Sequence, residues 1–172
     1  MAWWRTFIFL CVMPLFAAMH VQAAENPAPA QVRAFGADSL ATIAAAGKGK
    51  PFVLVIWSLD CEYCQASLAF LSREKNRHAD LRLVTLSTDA LNDPQTAALV
   101  RDRLASLGLT GDAWAFGSAP PEQLRYAIDP QWHGEMPRSY WFNARGERIA
   151  YSGVINDEVV RKMLSARHEG AN

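Results

Sequence analysis

The chain has 172 residues, a length that favours one domain, and its 51% hydrophobic content is enough to fill a core. Lys plus Arg and Asp plus Glu both total 17, so there is no basic field to attract nucleic acid, which speaks against a DNA or RNA function.

Residues 1–23 read as a signal peptide. The first five residues carry one positive side chain, residues 6–18 are almost wholly apolar, and Val21-Gln22-Ala23 places small residues where a signal peptidase cuts. Cleavage is expected before Ala24, which locates the protein in the periplasm or another extracytoplasmic space. The alternative is an uncleaved membrane anchor, but the apolar stretch is short for a span and Pro14 and His20 interrupt it. Residues 24–34 read as a flexible Pro/Ala-rich leader, residues 35–168 as the folded domain and 169–172 as a tail.

Asp38 or Ser39 caps a short helix to about Ala46, ended by Gly47-Lys48-Gly49-Lys50-Pro51. Phe52–Trp57 is a continuous apolar run rich in β-branched and aromatic residues, the pattern of a strand buried on both faces. Asp60 is the expected N-cap of a helix reaching about Lys75, with Leu68, Phe70 and Leu71 on its inner side. Residues 81–87 read as the next strand. Asn92-Asp93-Pro94 starts a helix that stops at Gly108, with proline at its first position. A short strand at residues 114–116, a helix over 122–128, a hairpin of residues 139–142 and 148–152, and a last helix capped by Asn156 or Asp157 complete the order. Strand–helix alternation implies a parallel centre, and the terminal hairpin makes the sheet mixed.

Cleavage of the signal peptide would remove Cys11 and leave two cysteines, Cys61 and Cys64. Two cysteines this close hardly constrain a fold, because the loop they close is tiny. In an oxidising compartment such a pair points to chemistry rather than to a staple. The thiolate is the nucleophile of disulfide exchange, and a cysteine at a helix N-terminus gains from unpaired backbone N–H groups and the helix dipole. Cys61 sits where the buried strand gives way to the helix, and Cys64 lies one turn further on the same face. Cys61 is therefore the expected attacking group and Cys64 the resolving one. A zinc site would need two further ligands, and His78, His133 and His168 are scattered.

Trp57-Ser58-Leu59-Asp60-Cys61-Glu62-Tyr63-Cys64 resembles the W-x-x-x-C-x-x-C centre of thioredoxin-fold proteins. Gly134-Glu135-Met136-Pro137 resembles the loop whose cis-proline faces the disulfide in that family. Asn143-Ala144-Arg145-Gly146-Glu147 and Tyr151-Ser152-Gly153 resemble its closing hairpin and glycine. The αβ unit between about Pro94 and Phe116 is similar to the insertion of the exported TlpA/ResA/CcmG-like branch. The resemblance spans roughly residues 35–166. It implies an α/β thioredoxin fold with a mixed central sheet, helices on both faces, an αβ insertion and a C-terminal hairpin plus helix. It also implies a cis Met136–Pro137 bond, cysteine-containing exported proteins as clients and a membrane thiol as electron donor; no cofactor or metal is expected. Trp57, Glu62, Tyr63, Met136 and Pro137 are the expected client contacts.

The sequence departs from the family at three positions. Asp60 stands where many relatives have Trp, Val55 where thioredoxins carry a buried Asp, and Ser67 where some ResA-like reductases carry Glu. No buried carboxylate is therefore evident to deprotonate Cys64, leaving water or the rim groups Asp60 and Glu62. These two acids flank Cys61 and oppose its thiolate, which favours a reductase over an oxidase or isomerase. A Cu(I)-binding module using Cys61, Cys64, Met136 and His133 is the reading from another class. Trp132 reads as packing, His133 as a rim residue, and Arg101, Asp102 and Arg103 as a solvated helix face.

Overall fold

A computed structural model describes residues 31–169 apart from 48, 79 and 80, so the signal peptide, most of the leader and the last three residues lie outside the described part. Its framework follows from one apolar run. All six residues of strand Phe52–Trp57 are buried, and successive side chains point to opposite faces. Val53, Val55 and Trp57 enter one core and Phe52, Leu54 and Ile56 the other. A strand with two apolar faces must lie inside a sheet covered on both sides, and this one does.

In chain order the elements are β1 (Val32–Phe35), α1 (Ser39–Ala46), β2 (Phe52–Trp57), α2 (Glu62–Glu74), β3 (Arg82–Ser87), α3 (Pro94–Ser106), β4 (Asp112–Phe116), α4 (Pro121–Ile128), β5 (Arg138–Phe142), β6 (Arg148–Ser152) and α5 (Asp157–Glu169). They form a six-stranded sheet in the order β1-β4-β3-β2-β5-β6. Strands β1, β4, β3 and β2 run parallel, while β5 and β6 are antiparallel additions beside β2. One core layer gathers α2, α3 and α5 through Leu68, Leu104 and Val160, and the other gathers α1 and α4 through Ile43 and Leu124. The fold class is thus the expected α/β arrangement with a mixed sheet. The αβ unit α3–β4 is built into it, with β4 between β3 and β1.

Two local expectations are corrected. Residues 32–34, assigned to the leader, belong to edge strand β1, which pairs with β4 through Val32↔Ala113 to Phe35↔Phe116. Only Phe35 of that strand is buried, stacked on Phe116, so no alternating apolar pattern marks it in the sequence. The N-cap of α2 is Cys61 rather than Asp60. At α3 the expected start holds: Asp93 accepts from the Thr96 N–H at 2.7 Å and Pro94 takes the first helical position.

Candidate functional site

The reactive segment lies where β2 ends and α2 begins. The loop of residues 58–61 turns the chain from the sheet into the helix, closed by a Cys61 N–H to Ser58 O bond of 3.4 Å. It is also tied sideways to β3, whose following residue Thr88 donates its N–H to Trp57 O at 2.9 Å. Cys61 and Cys64 are joined in a disulfide with Cα atoms 5.1 Å apart. Cys61 has extended backbone angles, and its Sγ accepts the Cys64 N–H at 3.1 Å. The sulfur thus stands in the place of a capping oxygen, at the end of a 13-residue helix where unpaired N–H groups favour negative charge.

The two sulfurs differ in access. Cys61 is half-buried, whereas Cys64 has 0% exposure and packs in the core layer with Trp57 and Leu68. Glu62 is exposed on the first turn of α2, and Tyr63 is 66% exposed beside it. Asp60 is exposed as well. Trp57 is placed differently from the expectation of a client contact. Its side chain is fully buried in the cluster that holds Cys64, so it supports the disulfide from within.

The second loop arrives from β5. Ile56 of β2 faces Arg138 of β5 across the antiparallel pair, so Met136 and Pro137 enter the sheet at the edge where Trp57 leaves it. The Met136–Pro137 peptide is cis. Pro137 is buried, and half-buried Met136 packs against the same core layer as Cys61. Hydrogen bonds fix this loop: Trp132 Nε1 donates to Glu135 O at 2.9 Å, and Arg138 donates to Glu135 Oε1 at 3.0 Å and Ser152 Oγ at 2.8 Å. Trp132 is buried in this packing role, and His133 is exposed, both as read from the sequence.

Beneath the loop, Asp129 accepts from Arg138 at 3.2 Å and from the Tyr140 hydroxyl at 3.0 Å. Burial pushes the Asp129 carboxyl up, but the Gln131 N–H, Tyr140, Arg148 and Arg138 together hold it below its usual value. Burial pushes the Tyr140 phenol up to about 12, against the opposing pull of Arg138.

The three departures from the family pattern have structural counterparts. Val55 is fully buried. Ser67 is fully buried and satisfied, donating to Tyr63 O at 3.1 Å and accepting the Ile155 N–H at 3.0 Å. The buried carboxylates among the described residues are Glu74, bonded to Arg77, and Asp129, bonded to Arg138 and Tyr140, so each is already held by an arginine. Arg103 does not lie on a purely solvated face: it is half-buried, with Nε 2.5 Å from Gln65 Oε1. Its type and spacing carry no sequence signal for that contact, because the partner is 38 residues away.

Neither a family model nor a curated protein sequence matches the chain. Solved structures do. A secreted Mycobacterium tuberculosis disulfide oxidoreductase homologous to E. coli DsbE superposes with TM-score 0.53 at 18% identity, covering 71% of this chain and 85% of that one. A thiol:disulfide interchange protein of the thioredoxin family from Chlorobium tepidum gives 0.55 at 15% identity, over 72% and 83%. StoA from Bacillus subtilis gives 0.51 at 21% identity, over 68% and 84%. The chain therefore has the thioredoxin fold, and its solved neighbours include thiol–disulfide oxidoreductases.

Proposed function

We propose that this protein is an exported thiol–disulfide reductase acting on cysteines of other exported proteins. The observation that carries the reading is the unequal pair: a half-exposed Cys61 at the N-terminus of α2, bonded to a fully buried Cys64. The reduced Cys61 thiolate attacks one sulfur of a client disulfide. A mixed disulfide forms and the client's other sulfur leaves as a thiolate. Cys64 then loses its proton and attacks Cys61 Sγ, which reforms the internal disulfide and releases the second client thiolate. Two electrons pass from the pair to the client, and a membrane dithiol restores them. With Val55 and Ser67 at the positions where relatives carry a carboxylate, water or the rim carboxylates Asp60 and Glu62 take the Cys64 proton in this reading.

Tyr63 and Glu62, exposed beside Cys61, and the Met136–Pro137 loop are the client contacts in this reading. Export rests on the N-terminal apolar segment and its small-residue cleavage pattern. Among the described residues, no helix is long and apolar enough to cross a membrane. Among the described residues, no group of three His, Cys, Asp or Glu is placed to hold a metal ion.

The deciding experiment pairs an insulin reduction assay with glutathione equilibration of the processed protein. Insulin reduction together with a potential below that of the glutathione pool is expected. A potential well above that pool would make the protein an oxidase or isomerase with the same centre.

A further inference from the structure

The segment ahead of Cys61 is held by two charged groups, both outside the C-x-x-C motif. Leu59 donates its N–H to Asp89 Oδ2 at 2.9 Å. Asp89 is itself fixed: Ser87 Oγ donates to the same carboxylate oxygen at 2.6 Å and accepts the Asp89 N–H at 3.1 Å. On the carbonyl side, Gln65 Nε2 donates to Ser58 O at 2.9 Å and to Leu59 O at 3.4 Å. An amide has one oxygen and one NH2, so its orientation decides whether it can serve these carbonyls. Arg103 decides it, because its Nε donates to Gln65 Oε1 at 2.5 Å and holds the oxygen away from the loop.

The Leu59 peptide is thus gripped on its N–H side by a carboxylate and on its C=O side by an amide that a guanidinium orients. Asp89 precedes α3 and Arg103 lies in its last turn, so both charges come from the segment that follows β3. Gln65 follows Cys64 directly, so the same grip spans the chain just before and just after the disulfide. Bonds to charged partners are the stronger kind, and all four side chains are half-buried or more, which limits competition from water.

We propose that Asp89 and Arg103 are positioning residues that keep Cys61 Sγ at the N-terminus of α2 once the disulfide is reduced. The proposal rests on the reading of Cys61–Cys64 as the reactive pair. In the reduced state the covalent tie is gone, and Cys61 is held by the first α2 hydrogen bond, from the Gln65 N–H to its carbonyl at 3.1 Å, and by the gripped backbone ahead of it.

Paired substitutions separate position from charge. Asp89→Asn and Asp89→Leu remove the same charge and differ in the acceptor left for the Leu59 N–H. Arg103→Lys and Arg103→Met differ in the cationic donor left for Gln65, and Arg101→Met on the same helix is the control. The measurement is the alkylation rate of Cys61 in reduced, folded protein at pH 7. We expect Asp89→Leu to be about fivefold slower than Asp89→Asn, and Arg103→Met slower than Arg103→Lys by the same factor, the size of one net hydrogen bond.

Equal rates within both pairs would overturn the proposal. Should a Leu or Met variant fail to fold, hydrogen exchange in the wild-type reduced protein decides: a Leu59 amide exchanging as fast as an exposed loop amide also overturns it. Wild-type insulin reduction keeps the function and the positioning role apart. Activity with equal rates leaves the function standing and the positioning role refuted, whereas inactivity with unequal rates does the reverse.

Discussion

Cys61 and Cys64 are separated by two residues, yet Cys61 is partly exposed and Cys64 is fully buried. Reduced protein should therefore alkylate quickly at Cys61 and slowly at Cys64, as peptide mass mapping over time would show; equal rates would contradict the assigned roles. For the same reason Cys64→Ser should accumulate mixed disulfides with client proteins on non-reducing gels, and Cys61→Ser should not. The acids beside Cys61 set a second expectation. Asp60 and Glu62 are exposed, so solvent screens them, but both oppose charge on the adjacent sulfur. Replacing them together, Asp60→Asn with Glu62→Gln, should make the pair less reducing by no more than about a few tens of millivolts. Glutathione equilibration at several ionic strengths would measure it, and a shift toward more reducing values would show that other groups set the direction.

At the scale of the elements, the join between edge strand β1 and the sheet leaves no room for a side chain at one position. Gly117 donates its N–H to Phe35 O at 2.9 Å, and a Cβ placed there would stand 2.9 Å from the same oxygen. Backbone cannot yield as a flexible side chain does, so Gly117→Ala should lower stability by about 1–3 kcal/mol. Urea unfolding would report this, and an unchanged midpoint would mean that β1 docks loosely.

This strand also marks a limit of what sequence can show. β2 is legible because six apolar residues in a row, β-branched and aromatic among them, suit a strand covered on both faces and little else. α3 is legible because Asp93-Pro94 is a start signal with a mechanism. β1 is not, since an edge strand with one buried side chain needs no periodicity. The cysteine motif and its place after a buried strand are likewise legible as local patterns, and the proline loop is legible through its resemblance to the family. The grip of Asp89, Gln65 and Arg103 on Leu59 is not, because it exists only once β3 and α3 pack beside α2. The Cys61 cap is not legible, because Asp60 is the better capping residue by type, whereas the chain turns so that the Cys61 sulfur accepts the Cys64 N–H.

Across the whole molecule, the network of Asp129, Arg138, Tyr140 and Arg148 joins the end of α4 to both strands of the hairpin and ties stability to pH at both extremes. Asp129 titrates below 3.8 when folded, so its contribution is present above that value and is lost as pH falls through its folded value. Asp129→Asn should therefore flatten the acid limb of a stability profile measured by urea midpoints. Tyr140 titrates at 10.0 when unfolded and at about 12 when folded. The unfolded chain gives up this proton first, so stability should decline as pH rises between those two values. Tyr140→Phe should lose that decline, and an unchanged alkaline slope would show that Tyr140 does not set it.

The closeness of Cys64 to Cys61 also bears on how long a client stays attached. In the proposed exchange, the mixed disulfide on Cys61 is attacked by a thiol whose Cα lies 5.1 Å away across one helical turn. Such a neighbour acts at an effective concentration far above that of any thiol in solution. The lifetime of the covalent complex is then set largely by this neighbouring thiol and by the leaving client sulfur rather than by the tightness of docking. On that proposal tight docking is not needed, and many weakly held partners could be served in succession without the protein becoming trapped on any of them.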